Sequence, residues 1–437
     1  MTMRFRQKPV LVTVVTATAA LALLAGCSAT GATPSKTSTG TSSAADGVSA
    51  NKINVGLSTD LTGPSVANLT PYQQGVQTYF DQVNADGGIN GRLINVDVQD
   101  DKTDATTGVA VYHKFVAQDP ALVMLGTTTG IQAALAAEGT DTQLPLVGPL
   151  TIGKPFLSPT NPSWFSTACT YDDQFDVAAA YMTTKVAKVT KPKVFVVQAF
   201  NASGQEELST LTTLINSAGG TIDGHYVLQN GALDYDVLAQ QIAAAKPDWL
   251  FLHANIPSAT VFMQSLKKFG VTNLNIGTTA VLRFASIPQT APSTFKSWYA
   301  FDCYLKPSQA GAGGKAIIKA AKADGFNAAQ YDLPAFSQGY VAAQVAGNAI
   351  KSAGVSPTRA KVIAALNKIK NFSTNGVSPD ISFSSTDHTG IKTLQPFQFN
   401  KKTGDFDPVG KFADYAACLT HSYTTGSMSS WSPTCIK

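Results

Sequence analysis

Strand-like and helix-like segments alternate along this chain in two successive series, and that rhythm restricts the fold more than any other feature. Ile53–Ser58 is an apolar run of strand length, and Pro71–Ala85 reads as a helix with Pro71 in its first turn and Gly87-Gly88 as its stop. Leu93–Val98 alternates apolar and polar residues at the period of a strand. A helix over 105–117, a strand over 122–125, a helix over 131–138 and a strand over 145–147 complete the first block. The second block reads as helix 172–188, strand 193–197, helix 206–217, strand 225–228, helix 235–245, strand 249–252, helix 258–269 and strand 274–277. Behind it come a strand over 298–305, helices over 315–323, 336–352 and 358–369, and late strands over 395–400 and 409–415. This order builds parallel sheets with helices on both faces, so the class is α/β with two doubly wound parallel-sheet lobes. Ligands of such sheets bind beyond the carboxyl ends of the strands, and two lobes in tandem place the site in the cleft between them. Loops 59–72, 126–131, 148–153, 198–205, 253–258 and 277–284 are the expected walls.

The N-terminus carries a different message. Arg4, Arg6 and Lys8 precede Val10–Leu24, an apolar run of 15 residues. That is shorter than the ~20 residues that cross a bilayer as a helix, and the charge asymmetry is that of an export signal. The run ends in Leu24-Ala25-Gly26-Cys27, which resembles the lipobox of bacterial lipoproteins. The resemblance implies a signal peptide over 1–26 and a Cys27 that is acylated and becomes the mature N-terminus. Nineteen of the 23 residues 28–50 are Ala, Gly, Ser or Thr, too little apolar surface to fold, so 27–50 is expected to be an anchor and flexible tether. The expected location is the outer face of the cytoplasmic membrane.

Charge and cysteine content narrow the function. The 32 Lys and Arg are scattered among 28 acids, so there is no basic stripe for nucleic acid. Cys169, Cys303, Cys418 and Cys435 remain after Cys27, an even number that suits two bridges in an exported chain, with three pairings open. Neither they nor the five His show metal-ligand spacing, so no metal is expected. Catalytic signals are weak. Ala335-Phe336-Ser337-Gln338-Gly339 is one residue from a nucleophile elbow, but a helix follows no strand there. Asp100 and Asp101 are adjacent on a strand and point to opposite faces, as a turn and cap pair with Thr103 and Asp104. His253 ends a strand facing the cleft, where packing is the default and ligand contact the alternative. No cofactor motif is present, and an enzyme is not expected.

A family resemblance sharpens this. Ile53-x-Val55-Gly56-Leu57 with Leu61-Thr62-Gly63-Pro64 resembles the opening of the type I periplasmic-binding-protein receptors of branched-chain amino acid ABC transporters. Asn84-Ala85-Asp86-Gly87-Gly88-Ile89-Asn90-Gly91-Arg92 is similar to their I-N-x-x-G-G-I-N-G-[RK] signature, and Asp100-Asp101 to their following D-D. The likeness follows element order over about 51–400, with the sharp motifs in the first hundred residues. It implies two lobes joined by a three-segment hinge, 51–168 with 304–376 and 169–303 with 377–437. It also implies a monomeric receptor that closes on a small solute and delivers it to an ABC permease. A ligand-sensing subunit of a signalling system uses the same fold, and an exported hydrolase is the remaining alternative.

Carried over residue by residue, the resemblance points to Ser65, Thr128, Thr129, Leu150 and Thr151 in the first lobe, where hydroxyl and backbone groups hold a carboxylate. In the second lobe it points to Phe200, Ser203, Asn255 and Thr279. There the chain departs from the amino-acid binders: Ser203 stands where they have Tyr, Asn255 where they have an aromatic, and Thr279 where they place Glu. Without that acid nothing balances an ammonium, so a carboxylate, an amide or another small polar metabolite fits equally. The family's side-by-side crossing segments further imply the pairing Cys169–Cys303, leaving Cys418–Cys435 to staple the tail.

Replacing Cys27 with Ala is expected to release the protein from the membrane fraction, since one residue carries the acyl chains. Mass spectrometry finding an unmodified mature N-terminus in the wild type overturns the lipobox reading.

Overall fold

The computed structural model describes residues 46–138, 144–150, 153, 157, 160–199 and 208–412. Cys27, most of the expected tether, Thr151, Phe200, Ser203, Cys418 and Cys435 lie outside the described residues.

The first sheet is parallel throughout. It consists of β1 (Lys52–Thr59), β2 (Leu93–Asp100), β3 (Val123–Gly126), β4 (Leu146–Val147) and β5 (Trp164–Phe165) in the order β2-β1-β3-β4-β5. Helices α1 (Val66–Ala85), α2 (Ala105–His113) and α3 (Thr129–Ala137) connect its strands. After α4 (Tyr171–Tyr181) the chain builds a second sheet. Strands β6 (Lys193–Ala199), β7 (Thr221–Leu228), β8 (Trp249–His253), β9 (Leu274–Thr279) and β10 (Phe295–Asp302) alternate with α5 (Leu208–Ser217), α6 (Asp236–Ala245), α7 (Ile256–Lys268) and α8 (Ser286–Thr290). The chain then returns to the first lobe as α9 (Gly311–Ala323), α10 (Ala328–Tyr331), α11 (Pro334–Ser352) and α12 (Arg359–Leu366). It ends, within the described residues, in an antiparallel hairpin, β11 (Gln395–Asn400) and β12 (Asp405–Pro408), on the edge of the second sheet. That sheet runs β12-β11-β10-β9-β8-β6-β7.

Three details differ from the sequence reading. Helix α1 begins at Val66, which puts Pro71 inside it rather than in its first turn. The cause is the Asp60 carboxylate, which accepts the N–H groups of Thr62, Gly63 and Ser65 and brings the chain into helical geometry early. The last strand among the described residues is Asp405–Pro408, where Phe406 is buried against Phe399; 409–412 is not strand, and 413–415 lie outside the described residues. The final passage to the second lobe falls at 392–395 rather than 377. Thr389 bridges Ser166, and Phe383 and His388 pack on Phe165 of β5.

The signature after α1 is a turn device. Gly88 has φ +79°, and a Cβ there meets the Arg92 carbonyl oxygen at 2.0 Å, so the chain reverses where only glycine fits. Ile89 and Arg92 close the turn with two backbone hydrogen bonds. A second close approach joins α1 to α11. A Cβ on Gly75 meets the Phe336 carbonyl oxygen at 2.1 Å, and one on Gly339 meets that of Tyr72 at 2.0 Å. Backbone cannot step aside as a side chain can. Gly75→Ala and Gly339→Ala are each expected to cost about 2–3 kcal/mol of stability by forcing the helices apart. Urea unfolding checks this, and a loss below about 0.5 kcal/mol overturns the packing argument.

Candidate ligand-binding cleft

At the carboxyl end of β3 the chain turns sharply. Gly126 and Thr127 both have positive φ, +84° and +74°, and the Thr127 N–H donates to the Ser58 carbonyl of β1. A β-branched residue in that region is strained, a feature that collects at functional sites. The turn delivers the N-terminus of α3, and Thr128 heads it without a side-chain cap. The hydroxyls of Thr127 and Thr128 are buried and have no hydrogen-bond partner. Leu150, after β4, donates its N–H to Thr127 and accepts from Gln338 Nε2 at 2.7 Å.

Near these strand ends lies a small cavity of about 40 Å³ between the lobes. Asn68, Leu150, Pro334, Ala335 and Gln338 line it from the first lobe, and Tyr171, Gln174, Ala280, Val281 and Phe284 from the second. Its floor is the hinge itself, Ala168-Cys169 and Asp302-Cys303-Tyr304. Cys169 and Cys303 are joined by a disulfide with Cα atoms 6.0 Å apart, and the Tyr304 hydroxyl donates to the Thr167 carbonyl at 2.6 Å.

The polar groups of this floor are already engaged. Asp302 pairs with Arg283 at 3.1 Å and accepts the N–H groups of Cys303 and Tyr304. Burial raises the pKa of Asp302 and lowers that of Arg283, and each charge counters the effect on the other. The guanidinium also lies 3.8 Å from the Phe397 ring and donates to the Tyr304 carbonyl. Gln174 accepts from the Ala280 N–H and donates to the Cys169 carbonyl. Asn68 is different. Its Nδ2 donates to the Val281 carbonyl across the lobes at 3.4 Å, while its Oδ1 is buried without a partner.

In the second lobe, His253 Nδ1 and Thr279 Oγ1 are 2.8 Å apart and both residues are buried. Tyr171 packs edge-on against the imidazole at 4.6 Å between ring centres. Burial lowers the His253 pKa to about 3, so the ring is neutral at physiological pH.

A family model described as periplasmic binding protein matches residues 52–405. The chain belongs to the periplasmic binding protein family. Leu/Ile/Val-binding protein BraC3 of Rhizobium johnstonii is 26% identical over 227 residues, which are 52% of this chain and 60% of that protein, under two thirds of its length. Two solved structures share the fold. A branched-chain amino acid ABC transporter protein from Thermus thermophilus with bound valine has TM-score 0.75 at 18% identity, covering 85% of this chain and 99% of that one. A fatty acid ABC transporter substrate-binding protein from Thermomonospora curvata has TM-score 0.73 at 19% identity, covering 84% and 94%.

Of the ligand residues expected for this periplasmic binding protein, Leu150 lines the cavity with its side chain, while its N–H is used inside the lobe. Thr128 and Thr129 stand at the α3 N-terminus, next to Thr127, whose carbonyl holds Leu150, and Thr279 directly precedes the lining residues Ala280 and Val281. None of Thr128, Thr129 and Thr279 lines the cavity itself. Ser65 heads α1, donating its N–H to Asp60. Asn255 caps α7 by accepting from the Ser258 N–H and donates to Asn230. Neither lines the cavity. Asn68 and Phe284 fall in two of the expected wall loops without being singled out, while Tyr171, Gln174 and Gln338 lie outside every expected wall. Gln338 lay within the elbow-like motif, but Ser337 is buried in the interior of α11, not on a strand-to-helix turn. Asp100 and Asp101 accept from turn residues Leu61, Thr62, Lys102 and Thr103, and Asp104 caps α2.

The buried imidazole makes stability depend on pH. An unfolded chain presents His253 with a pKa near ~6.5, while the folded ring stays neutral down to about 3. As pH falls below the unfolded value, the unfolded state binds a proton that the folded state refuses, so stability drops toward the folded value. At pH 5 this site is expected to cost about 2 kcal/mol. Urea midpoints of wild type and His253→Gln between neutral and mildly acidic pH check it, and an identical slope in the variant overturns the assignment.

Proposed function

We propose that this protein is the extracytoplasmic solute receptor of an ABC transporter and that its cleft captures a carboxylate carried on an apolar body, without an ammonium group. The observation that carries this reading is the pair of buried, unpartnered hydroxyls of Thr127 and Thr128 at the N-terminus of α3. Backbone N–H groups and the positive end of a helix favour an anion, and the hydroxyls add donors without a competing charge. The adjoining cavity suits an apolar body, with Leu150, Val281, Phe284, Pro334 and Ala335 in its walls.

The second lobe argues against an α-amino acid. Thr279 stands where amino-acid binders place an acid, and it is tied to a neutral imidazole. Asp302, the one carboxylate in the described lining, is neutralised by Arg283. An ammonium there lacks a counter-charge, which is costly in a closed cleft. Valine and fatty acids, the solutes named for two structural neighbours, share the carboxylate; the missing acid favours the second kind. We assign the chain no catalytic step, a lipid anchor at Cys27, a membrane permease as its partner and the monomer as its working form.

Titration calorimetry with 4-methylpentanoate and leucine, which differ by the ammonium alone, tests the ligand class. The acid is expected to bind and the amino acid not to. Thr128→Val is expected to weaken binding by about 10–150-fold, the worth of a hydrogen bond to a charged group, while leaving apo stability unchanged because the hydroxyl has no partner to lose. Tighter binding of leucine, or wild-type affinity in the variant, overturns the reading.

A further inference from the structure

The cleft lies at the carboxyl ends of the strands; the amino ends of β1 and β2 lie on the opposite side of the first lobe and carry a different surface. Lys52 opens β1 and Leu93 opens β2 as its register partner. Arg92 donates to the carbonyls of Ser49 and Val355, and Asn90 to that of Gly354, which brings the start of the folded chain against the α11–α12 loop. A groove alongside is lined by Lys361, Lys368 and Lys370, and it shares Asn348 and Phe372 with a neighbouring groove that contains Lys351. Leu93 and Val355 are exposed here by 51% and 71%, two of the few large apolar side chains in the described chain that face solvent.

The charge is one-sided. Six cations lie on this face: Lys52 pairs with Leu93 in register, Arg92 and Lys361 bond to the backbone at Val355 and Ser356, and Lys351, Lys368 and Lys370 line the two grooves. Where their contacts are recorded, Arg92, Lys361 and Lys370 donate to backbone carbonyls and not to acids. Acids near the patch include Asp46, which is bound to Arg359, Asp86 in the second groove, and exposed Asp380 beside Ile381, the backbone partner of Phe372, so cations outnumber them. Asp46 is also where the described chain begins, and Gly47 and Ser49 fasten it to β1 and Arg92. The N-terminal segment therefore joins the fold beside this patch.

Exposed apolar side chains ringed by lysines are what an anionic bilayer attracts, through insertion of the former and the surface potential acting on the latter. We propose that this face of the first lobe is a lipid-contact surface on which the protein rests against anionic headgroups, with the cleft on the side away from the lipid and open to solute. The inference is independent of the ligand assignment and of the acyl chains, so it is tested without them.

The processed chain, residues 27–437 with Cys27→Ala, is sedimented with vesicles of phosphatidylcholine alone or mixed with phosphatidylglycerol. Binding is expected to the anionic vesicles, to fall with added salt, and to be absent from the neutral ones. Each lysine near the surface is worth roughly fivefold in partitioning, so Lys351→Gln, Lys361→Gln, Lys368→Gln and Lys370→Gln combined are expected to lower it a hundredfold or more. Lys188→Gln, Lys191→Gln, Lys246→Gln and Lys267→Gln in the second lobe remove the same charge and are expected to leave most of the binding. Equal loss in the two variants, equal binding to both vesicles, or no loss in the first variant overturns the proposal.

Discussion

The two sheets of this protein share no strand, and what relates them is the hinge around Cys169–Cys303. The disulfide closes a separation of 134 residues, which the loop-entropy relation values at about 5 kcal/mol against the unfolded chain. Around it Arg283, Asp302, Tyr304 and Thr167 form a connected set of buried bonds. A buried ion pair adds little net stability, because desolvation consumes the Coulomb gain, but losing one partner strands the other. Its value here is geometric. Asp302 fixes the N–H groups of the crossing segment while Arg283 holds the loop that follows β9, so strand, hinge and cleft wall keep one relation. The same residues floor the cavity. A ligand in that cavity therefore sits on the pivot about which the lobes are joined.

The cleft is chemically unequal on its two sides. Behind Leu150 the first lobe holds a helix N-terminus and two unpartnered hydroxyls, a set that favours negative charge. The second lobe offers neutral groups that are already bonded to one another, His253 to Thr279 and Gln174 to two backbone groups. A neutral pair of this kind keeps its shape whether or not a ligand is present, and it supplies no charge to balance a cation. In the proposed reading, selection between an acid and its amino derivative follows from what the second lobe lacks, not from an added repulsive group.

How much of this was legible in the sequence depended on whether the signal was local. The parallel sheets followed from period and punctuation, and the Gly87-Gly88 turn from two glycines that have to reach positive φ. Thr128 and Leu150 were placed near the cleft because strand ends converge there. The resemblance points to Ser65 and Asn255 as ligand residues, but an Asn before a helix is first a cap, and its acceptor is spent on Ser258. Residues 377–392 were assigned to the wrong lobe because their bonds to Ser166 and Phe165 join positions more than two hundred apart. No periodicity reports such a contact. Gln338 lies on a helix whose lining role is fixed by packing against other segments, which a pattern of apolar residues does not encode, whereas Asn68 falls in an expected wall loop.

Asn68 shows why the closed form and the ligand are one problem. One end of its amide reaches the Val281 carbonyl in the other lobe, and the other end is a buried acceptor with nothing to accept. An orphan acceptor of this kind costs roughly 1–3 kcal/mol unless a donor arrives. The bond that Asn68 makes between the lobes thus comes with one stranded atom. For the ligand class proposed above, a carboxylic acid whose apolar body carries a hydroxyl within reach of Oδ1 supplies the missing donor while the Asn68–Val281 bond is in place. Part of its binding free energy then favours that arrangement of the lobes. A ligand without such a donor leaves the cost in place and shifts the equilibrium less, by the reciprocity that governs any ligand-linked change of state.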